Sequence, residues 1–421
     1  MSSQPFIPFH RPEIGDAEIE EVVRTLRSGW LTTGVRTAQF EHEFKRYVGA
    51  RHVLAVNSGT AALHLSLASL DIGPGDEVIT TPLTFCATVN VILHVGATPV
   101  LADIGPDGNI DPASVADRIT SRTRAMIPVH FAGAPCDMES IWSLAKKHQL
   151  FVIEDAAHAA GTLYRGHHVG AECFPSDAVA FSFYATKNLT TGEGGMVVTN
   201  RDVLASRIKI LTLHGISKDA WNRYGEEGSW YYEVLENGFK YNLTDIQSAI
   251  GIHQLRKLER FIEQRTHCAE LYDRALGDME ELELPKPVAN GRHSWHLYIL
   301  RLNLDLLTID RAQFISELRS RKVGASVHFI PIFLHPFFKQ WASLLHNQCP
   351  RSLELYPRLV SLPLYPSMTE GEVQYVASAV REIVEKFRKS RVLPVNTPTQ
   401  GAESIRVHSH GRIRLAEGSA R

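Results

Sequence analysis

The chain has no excess of charge of either sign. Its 421 residues hold 44 lysines and arginines against 46 aspartates and glutamates, a formal net charge of −2. Without a basic surplus there is no electrostatic footprint for nucleic acid or an anionic membrane surface. Cysteine is scarce: Cys86, Cys136, Cys173, Cys268 and Cys349 are odd in number, widely dispersed and form no Cys-x-x-Cys pair. That argues against a disulfide framework and a zinc site, and it suits a reducing compartment. Long apolar runs are missing too, since no stretch approaches the roughly 18 residues of a spanning helix. The first ten residues lack both the basic n-region and the uninterrupted apolar h-region of a signal peptide. The expectation is a soluble, cytoplasmic protein with no metal, no nucleic-acid partner and no membrane.

Apolar content of 44% and charged content of 21% are ordinary for a globular enzyme, and the length suffices for two cores. Helical spacing runs from Asp16 to Leu26, and a βα alternation follows. Strands are expected at His52–Val56, Glu77–Thr80, Pro99–Ala102, Arg124–Val129, Phe151–Ile153, Ala178–Phe183 and Gly195–Thr199. Helices are expected at Thr60–Leu70, Cys86–Val95 and Met138–Lys147. Such alternation predicts an α/β fold with a mostly parallel sheet covered on both faces, whose ligands bind beyond the carboxyl ends of the strands. A long helix from Asp245 to about Ala275 leads into a mixture of His296–Leu302, Asp310–Arg319, Ala325–Phe329 and Glu372–Lys386. The predicted layout is an N-terminal arm (1–13), a large domain (14–258), a small α+β domain (259–388) and a disordered tail (389–421).

Three segments carry chemistry. In Phe181-Ser-Phe-Tyr-Ala-Thr-Lys187 an apolar run ends in a lysine and enters Gly192-Glu-Gly-Gly195; in Leu150-Phe-Val-Ile153 another ends in Glu154-Asp-Ala-Ala-His158. A lysine and an acid, each delivered to a strand end, are what a pyridoxal phosphate aldehyde needs. The amine condenses with it, and the carboxylate keeps the pyridine nitrogen protonated. Asn57-Ser-Gly-Thr60 opens a helix and suits a phosphate, though an ordinary N-cap explains Ser58 as well. Taken singly, Asp155 also reads as a helix cap, Lys187 as a solvated lysine and His158 as a satisfied polar group. Phe85 stands at a helix start, placed either to stack on a ring or to fill a core.

Together, Ser58-Gly-Thr60, Glu154-Asp-Ala-Ala-His158, Ser182…Lys187…Glu193-Gly-Gly195 and Tyr241-Asn-Leu-Thr-Asp245 resemble the DegT/DnrJ/EryC1/StrS sugar aminotransferases over residues 5–388. The resemblance implies the fold type I (aspartate aminotransferase-like) architecture, pyridoxal 5'-phosphate as cofactor, and a homodimer with shared active sites. By that pattern Lys187 takes the aldehyde, Asp155 pairs the pyridine nitrogen and Phe85 stacks on the ring; His158, three residues after Asp155, is placed to lie over the ring or to contact its hydroxyl. Ser58, Gly59, Thr60 and Ser182 hold the phosphate, and Asn242 reaches the partner's phosphate. Some relatives carry histidine in place of the lysine and dehydrate sugars; Lys187 favours transamination. The runs Phe9-His-Arg-Pro-Glu-Ile14, Ser28-Gly-Trp-Leu-Thr-Thr-Gly34 and Gly238-Phe-Lys-Tyr-Asn242 resemble the members that make UDP-4-amino-4-deoxy-L-arabinose. That implies glutamate as donor and a UDP-4-keto-pentose as acceptor, with Thr32, Thr33 and His328 at the sugar; Lys240 and Arg223 read either as neutralising the diphosphate or as surface salt-bridge residues. Phe85 departs from those members, which carry tryptophan there. Related enzymes of 4-keto-6-deoxyhexoses share most of these motifs. A nucleotide-sugar sensor without turnover and a plain structural scaffold are the readings from other classes.

Overall fold

Apolar runs rich in valine and isoleucine supply the main sheet of the computed structural model, which describes residues 5–217, 231–288, 290–341 and 349–390. Its strands are β1 (His52–Val56), β2 (Glu77–Thr80), β3 (Thr98–Leu101), β4 (Thr123–Ile127), β5 (Phe151–Asp155), β8 (Ala178–Ser182) and β9 (Gly195–Thr199). Their order is β1-β9-β8-β5-β4-β2-β3. Strand β9 runs antiparallel to both its neighbours, and the remaining pairs are parallel. The period of two sorts the side chains between two buried faces. Val179 and Phe181 pack with Phe40, Phe44, Met196 and Val198, whereas Ala178 and Ala180 face Val56, Val197 and Ile208. This is the expected mixed, mostly parallel sheet.

Three two-residue strands, β6 (Leu163–Tyr164), β7 (His167–His168) and β11 (Gly291–Arg292), form a small sheet of their own. A third sheet is antiparallel and contains β10 (Leu282–Glu283), β12 (Tyr298–Leu302) and β13 (Leu359–Leu362). It shares a core with Tyr272, Phe314, Val376 and Val380.

The helix Asp245–Leu276 starts with a capping box between Thr244 and Gln247 and runs 32 residues without a break. Ile252, Leu255, Leu258 and Ile262 pack in the main-sheet core, and Cys268, Ala269, Tyr272 and Leu276 in the second core. Its first residue also caps another helix. The buried Asp245 carboxylate accepts from the Gly34, Arg36 and Thr37 amides and from Thr37 Oγ1, at 2.8, 3.1, 2.9 and 2.8 Å. The helix Val35–Val48 begins at Gly34, which has no side chain to cap it.

The N-terminal arm is pinned rather than loose. Ile7 is buried, its amide donates to the Lys322 carbonyl, and its carbonyl accepts from the Gly324 amide. One expected strand is absent. Ala325–Phe329 makes only a single bridge, Ser326 to Ser361 on β13, and then turns away to line a cavity. The strand that occupies that edge is β13, which lies between Pro357 and Pro363. A compact unit ends at Arg388. Arg223 and positions 391–421 of the expected tail lie outside the described residues. Among the described residues no helix is long and apolar enough to cross a membrane, and no group of His, Cys, Asp and Glu could hold a metal ion.

Candidate active site

Strands β1, β5 and β8 point their carboxyl ends at one cavity of about 720 Å³. It is lined by Ser58, Gly59, Thr60, Phe85, Asp155, His158, Ser182, Lys187 and His328, so nine of the fourteen residues named from the sequence converge on one space.

At one end the turn after β1 opens the helix Gly59–Ser69, whose first amides have no intrahelical acceptors. Ser58 Oγ accepts from the Ala61 amide at 3.0 Å, so its hydroxyl is engaged as the N-cap. The backbone here is packed as tightly as glycine allows: a Cβ on Gly59 would lie 2.8 Å from the Ser182 Cβ, and one on Gly195 would lie 2.5 Å from the Ser58 backbone. Thr60 and Ser182 flank the same positive helix end. The result is a preformed anion cradle of backbone amides and hydroxyls.

At the other end, Asp155 terminates β5 with only 5% of its surface exposed. Its Oδ2 accepts from Thr88 Oγ1 at 2.8 Å, and its Oδ1 accepts from the Ala157 amide at 3.1 Å. Thr88 Oγ1 is itself 2.8 Å from Thr84 Oγ1, so with Thr88 donating to the carboxylate the Thr84 hydroxyl donates to Thr88. Burial raises the Asp155 pKa, and Thr88, the Ala157 amide and Lys187 pull it back. A cationic N–H brought to this carboxylate would complete a charge-assisted pair. Lys187 follows β8 on a turn closed by its own amide to the Tyr184 carbonyl, at 2.9 Å. Burial lowers its pKa from 10.5 to about 8 against the opposing pull of Asp155.

Neutral aromatic rings form the walls. Phe85 is 60% exposed and lies 6.4 Å from the Phe329 ring, which leaves a face open to the cavity. His158 is buried, its Nδ1 has no hydrogen-bond partner among the described residues, and burial drives its pKa well below 6.5. His328 is pushed down to about 4 by burial and by Lys187; its Nδ1 is 2.9 Å from Ser361 Oγ, and its ring stacks on Phe9.

Thr32, Thr33 and Asn242 are not brought to this cavity. Asn242 Nδ2 donates to Thr33 Oγ1 at 2.8 Å, Thr33 donates to the Leu243 carbonyl at 2.5 Å, and Thr32 accepts from the Asp245 amide at 3.2 Å. Lys240 joins them through Asn242 Oδ1 at 2.5 Å. These residues form a separate cluster on the chain.

Sequence reasoning missed Thr84 and Thr88, although they flank Phe85 in Thr84-Phe-Cys-Ala-Thr88. It also missed Phe9, Phe329 and His296, which line the cavity from distant segments. A buried acid awaiting a cation, a half-buried lysine, a helix N-terminus with a glycine that admits no Cβ and an open ring face fit a planar, phosphate-bearing aldehyde.

Comparison with known proteins agrees. The DegT/DnrJ/EryC1/StrS aminotransferase family matches residues 12–381. The chain is 49% identical over 382 residues to the spore coat polysaccharide biosynthesis protein SpsC of Bacillus subtilis, covering 90% of this chain and 97% of that one. Helicobacter pylori PseC, an aminotransferase involved in the biosynthesis of pseudoaminic acid, superposes with a TM-score of 0.83 at 33% identity, covering 91% of this chain and all of that one. The Streptococcus pneumoniae Spr1654 protein, solved in its PLP form, gives 0.83 at 32% identity, over 90% and 99% of the two chains. The chain belongs to the DegT/DnrJ/EryC1/StrS aminotransferase family and is a sugar aminotransferase that uses pyridoxal phosphate.

Proposed function

We propose that the enzyme transfers the amino group of glutamate to the C4 ketone of a nucleotide-linked sugar, with a UDP-4-keto-pentose as acceptor and UDP-4-amino-4-deoxy-L-arabinose as product. The observation that carries the transferase reading is Lys187 opposite Asp155 in one cavity, next to a phosphate-sized cradle. The names of SpsC and PseC, both in glycan or amino-sugar biosynthesis, support a nucleotide sugar as acceptor.

Pyridoxal phosphate supplies an aldehyde carbon to carry the amino group and an electron-withdrawing ring. The protein's residues do the rest. Gly59 and Thr60 would offer backbone and hydroxyl donors to the phosphate, Asp155 would hold a proton on the pyridine nitrogen, and Phe85 would cover one ring face. The Thr84–Thr88 relay fixes the carboxylate plane. Lys187 is the proton carrier, because with a pKa of about 8 roughly a tenth of its amine is neutral at pH 7, against about 0.03% for a lysine at 10.5. It takes the Cα proton of glutamate in the first half-reaction and delivers a proton to C4 of the sugar in the second. His158 and His328 stay neutral, so neither competes with Lys187 for the substrate's negative charge.

The site is completed in a homodimer, in our reading, with Thr32, Thr33 and Asn242 serving the cavity of the partner subunit. Their separation from this chain's own cavity supports it.

The test is a single-turnover assay with glutamate, followed by a panel of UDP- and dTDP-4-keto pentoses and 6-deoxyhexoses. Release of 2-oxoglutarate with amination of the pentose is the expected result. No 2-oxoglutarate would refute the transferase reading in favour of a sensor, and amination of hexoses alone would overturn the acceptor. Coexpression of the Lys187→Ala and Asn242→Ala chains tests the dimer. Mixed dimers regain one intact site if Asn242 acts across the interface, and none if it acts within its own chain.

A further inference from the structure

Immediately after Lys187, Asn188 has a fully engaged side chain. Its Nδ2 donates to the Ser294 carbonyl at 2.8 Å and to the Ala160 carbonyl at 3.4 Å. Those two acceptors fix the amide orientation, so Oδ1 is the acceptor that faces His296 Nδ1 at 3.3 Å. His296 must then carry its proton on Nδ1. The ring of His296 lies 4.2 Å from that of His158, and the His158 ring also stacks with Phe329 at 5.7 Å and 20°. From below, Arg265 donates through Nη1 to the carbonyls of Trp295, His296 and Leu364 at 3.1, 3.4 and 2.9 Å. Ser294 Oγ donates to the His158 carbonyl at 2.8 Å, which ties the two segments again. Asn188, Ser294 and His296 are all buried.

We propose that Asn188 and His296 are positioning residues: Asn188 clamps the Lys187 turn onto segment 294–296 and holds His296 as its Nδ1–H tautomer, and His296 sets the plane of His158 in the cavity wall. Turning the Asn188 amide over would aim Oδ1 at two carbonyls and leave all of them without donors, a costly arrangement in a buried site. Burial keeps both imidazoles neutral, so their rings sit in tilted contact, 38° between planes, without repulsion beside Lys187. The pair thereby couples the orientation of the reactive lysine's turn to that of the ring opposite. The inference takes from the proposed function only the identity of the reaction.

The first test needs no turnover. In cofactor-free, full-length protein with ¹⁵N-labelled histidine, the resonance that disappears in His296→Phe should show a protonated Nδ1 and an unprotonated Nε2. An Nε2–H tautomer would overturn the proposal. The second test is the glutamate half-reaction. His296→Ala should lose about 100-fold in maximal rate, as a misplaced wall group does, with cofactor affinity and the KM for glutamate little changed. His296→Phe restores a flat ring and should recover most of that rate. A phenylalanine variant as slow as the alanine one, or an alanine variant as fast as the parent, would refute the positioning role. A parent protein inert to glutamate would instead count against the proposed function and leave the tautomer measurement to decide this inference.

Discussion

Lys187→Met should make the cofactor-free protein more stable at neutral pH. The native amine has a pKa of about 8 where an unburied lysine has 10.5. A lysine whose pKa falls on folding disfavours the native state below about pH 8, and that penalty fades as pH rises towards 10.5, where the unfolded chain loses the same proton. The shift of about 2.5 units corresponds to roughly 3 kcal/mol at pH 7, or about 2 kcal/mol once partial exposure of the side chain is allowed for. At pH 10 the same arithmetic leaves well under 1 kcal/mol. Methionine keeps the length and loses the charge, so it isolates this term. Urea unfolding of parent and variant, at one protein concentration and at pH 7 and 10, measures it. A variant less stable than the parent at pH 7, or a gain that is the same at both pH values, would refute the claim that burial tunes this amine.

Asp155→Asn keeps the shape and the oxygen that accepts from the Ala157 amide but removes the charge and puts an NH2 donor at Thr88, whose hydroxyl must turn to accept; the glutamate half-reaction should slow by about 10²- to 10³-fold with the cofactor still bound, as followed by stopped-flow absorbance. Gly59→Ala sets a Cβ 2.8 Å from that of Ser182, so overpacking of about 1–3 kcal/mol should appear together with weaker cofactor binding in a spectrophotometric titration. Asp245→Ala strips four donors at the start of the helix Val35–Val48 and should cost about 2–4 kcal/mol, read as a lower urea midpoint at constant slope.

The main sheet was legible because its strands are apolar runs between glycine-rich turns, and β1, β2 and β9 fall on the expected bounds. The ends of β1, β5 and β8 gave up the cofactor residues for the same reason: a strand end followed by a polar residue is a local pattern. Contacts across the chain have no such signature. Asn188 meets His296 over 108 positions, and nothing in His293-Ser-Trp-His296 marks the last ring as part of the site. Arg265 lies among charged neighbours on the long helix and reads as a surface residue, yet it is buried under the cavity wall. The strands β6, β7 and β11 are too short for a period of two to register. Ala325–Phe329 has strand-like composition, but its side chains are needed in the cavity wall, and β13 pairs with β12 in its place.

The helix Asp245–Leu276 acts as a ridgepole. At 1.5 Å per residue its 32 residues span about 48 Å. One half packs in the core with β8, the strand that leads into the Lys187 turn, and the other carries the core with β12, which follows His296, and β13, whose Ser361 meets His328. A bend of about 20° at its midpoint would swing the far end by roughly 8 Å, more than the width of an aromatic ring. The spacing between the reactive amine and the rings opposite is therefore a matter of stiffness in one continuous rod. Substitutions along its exposed face, well outside the cavity, can detune the chemistry by flexing it.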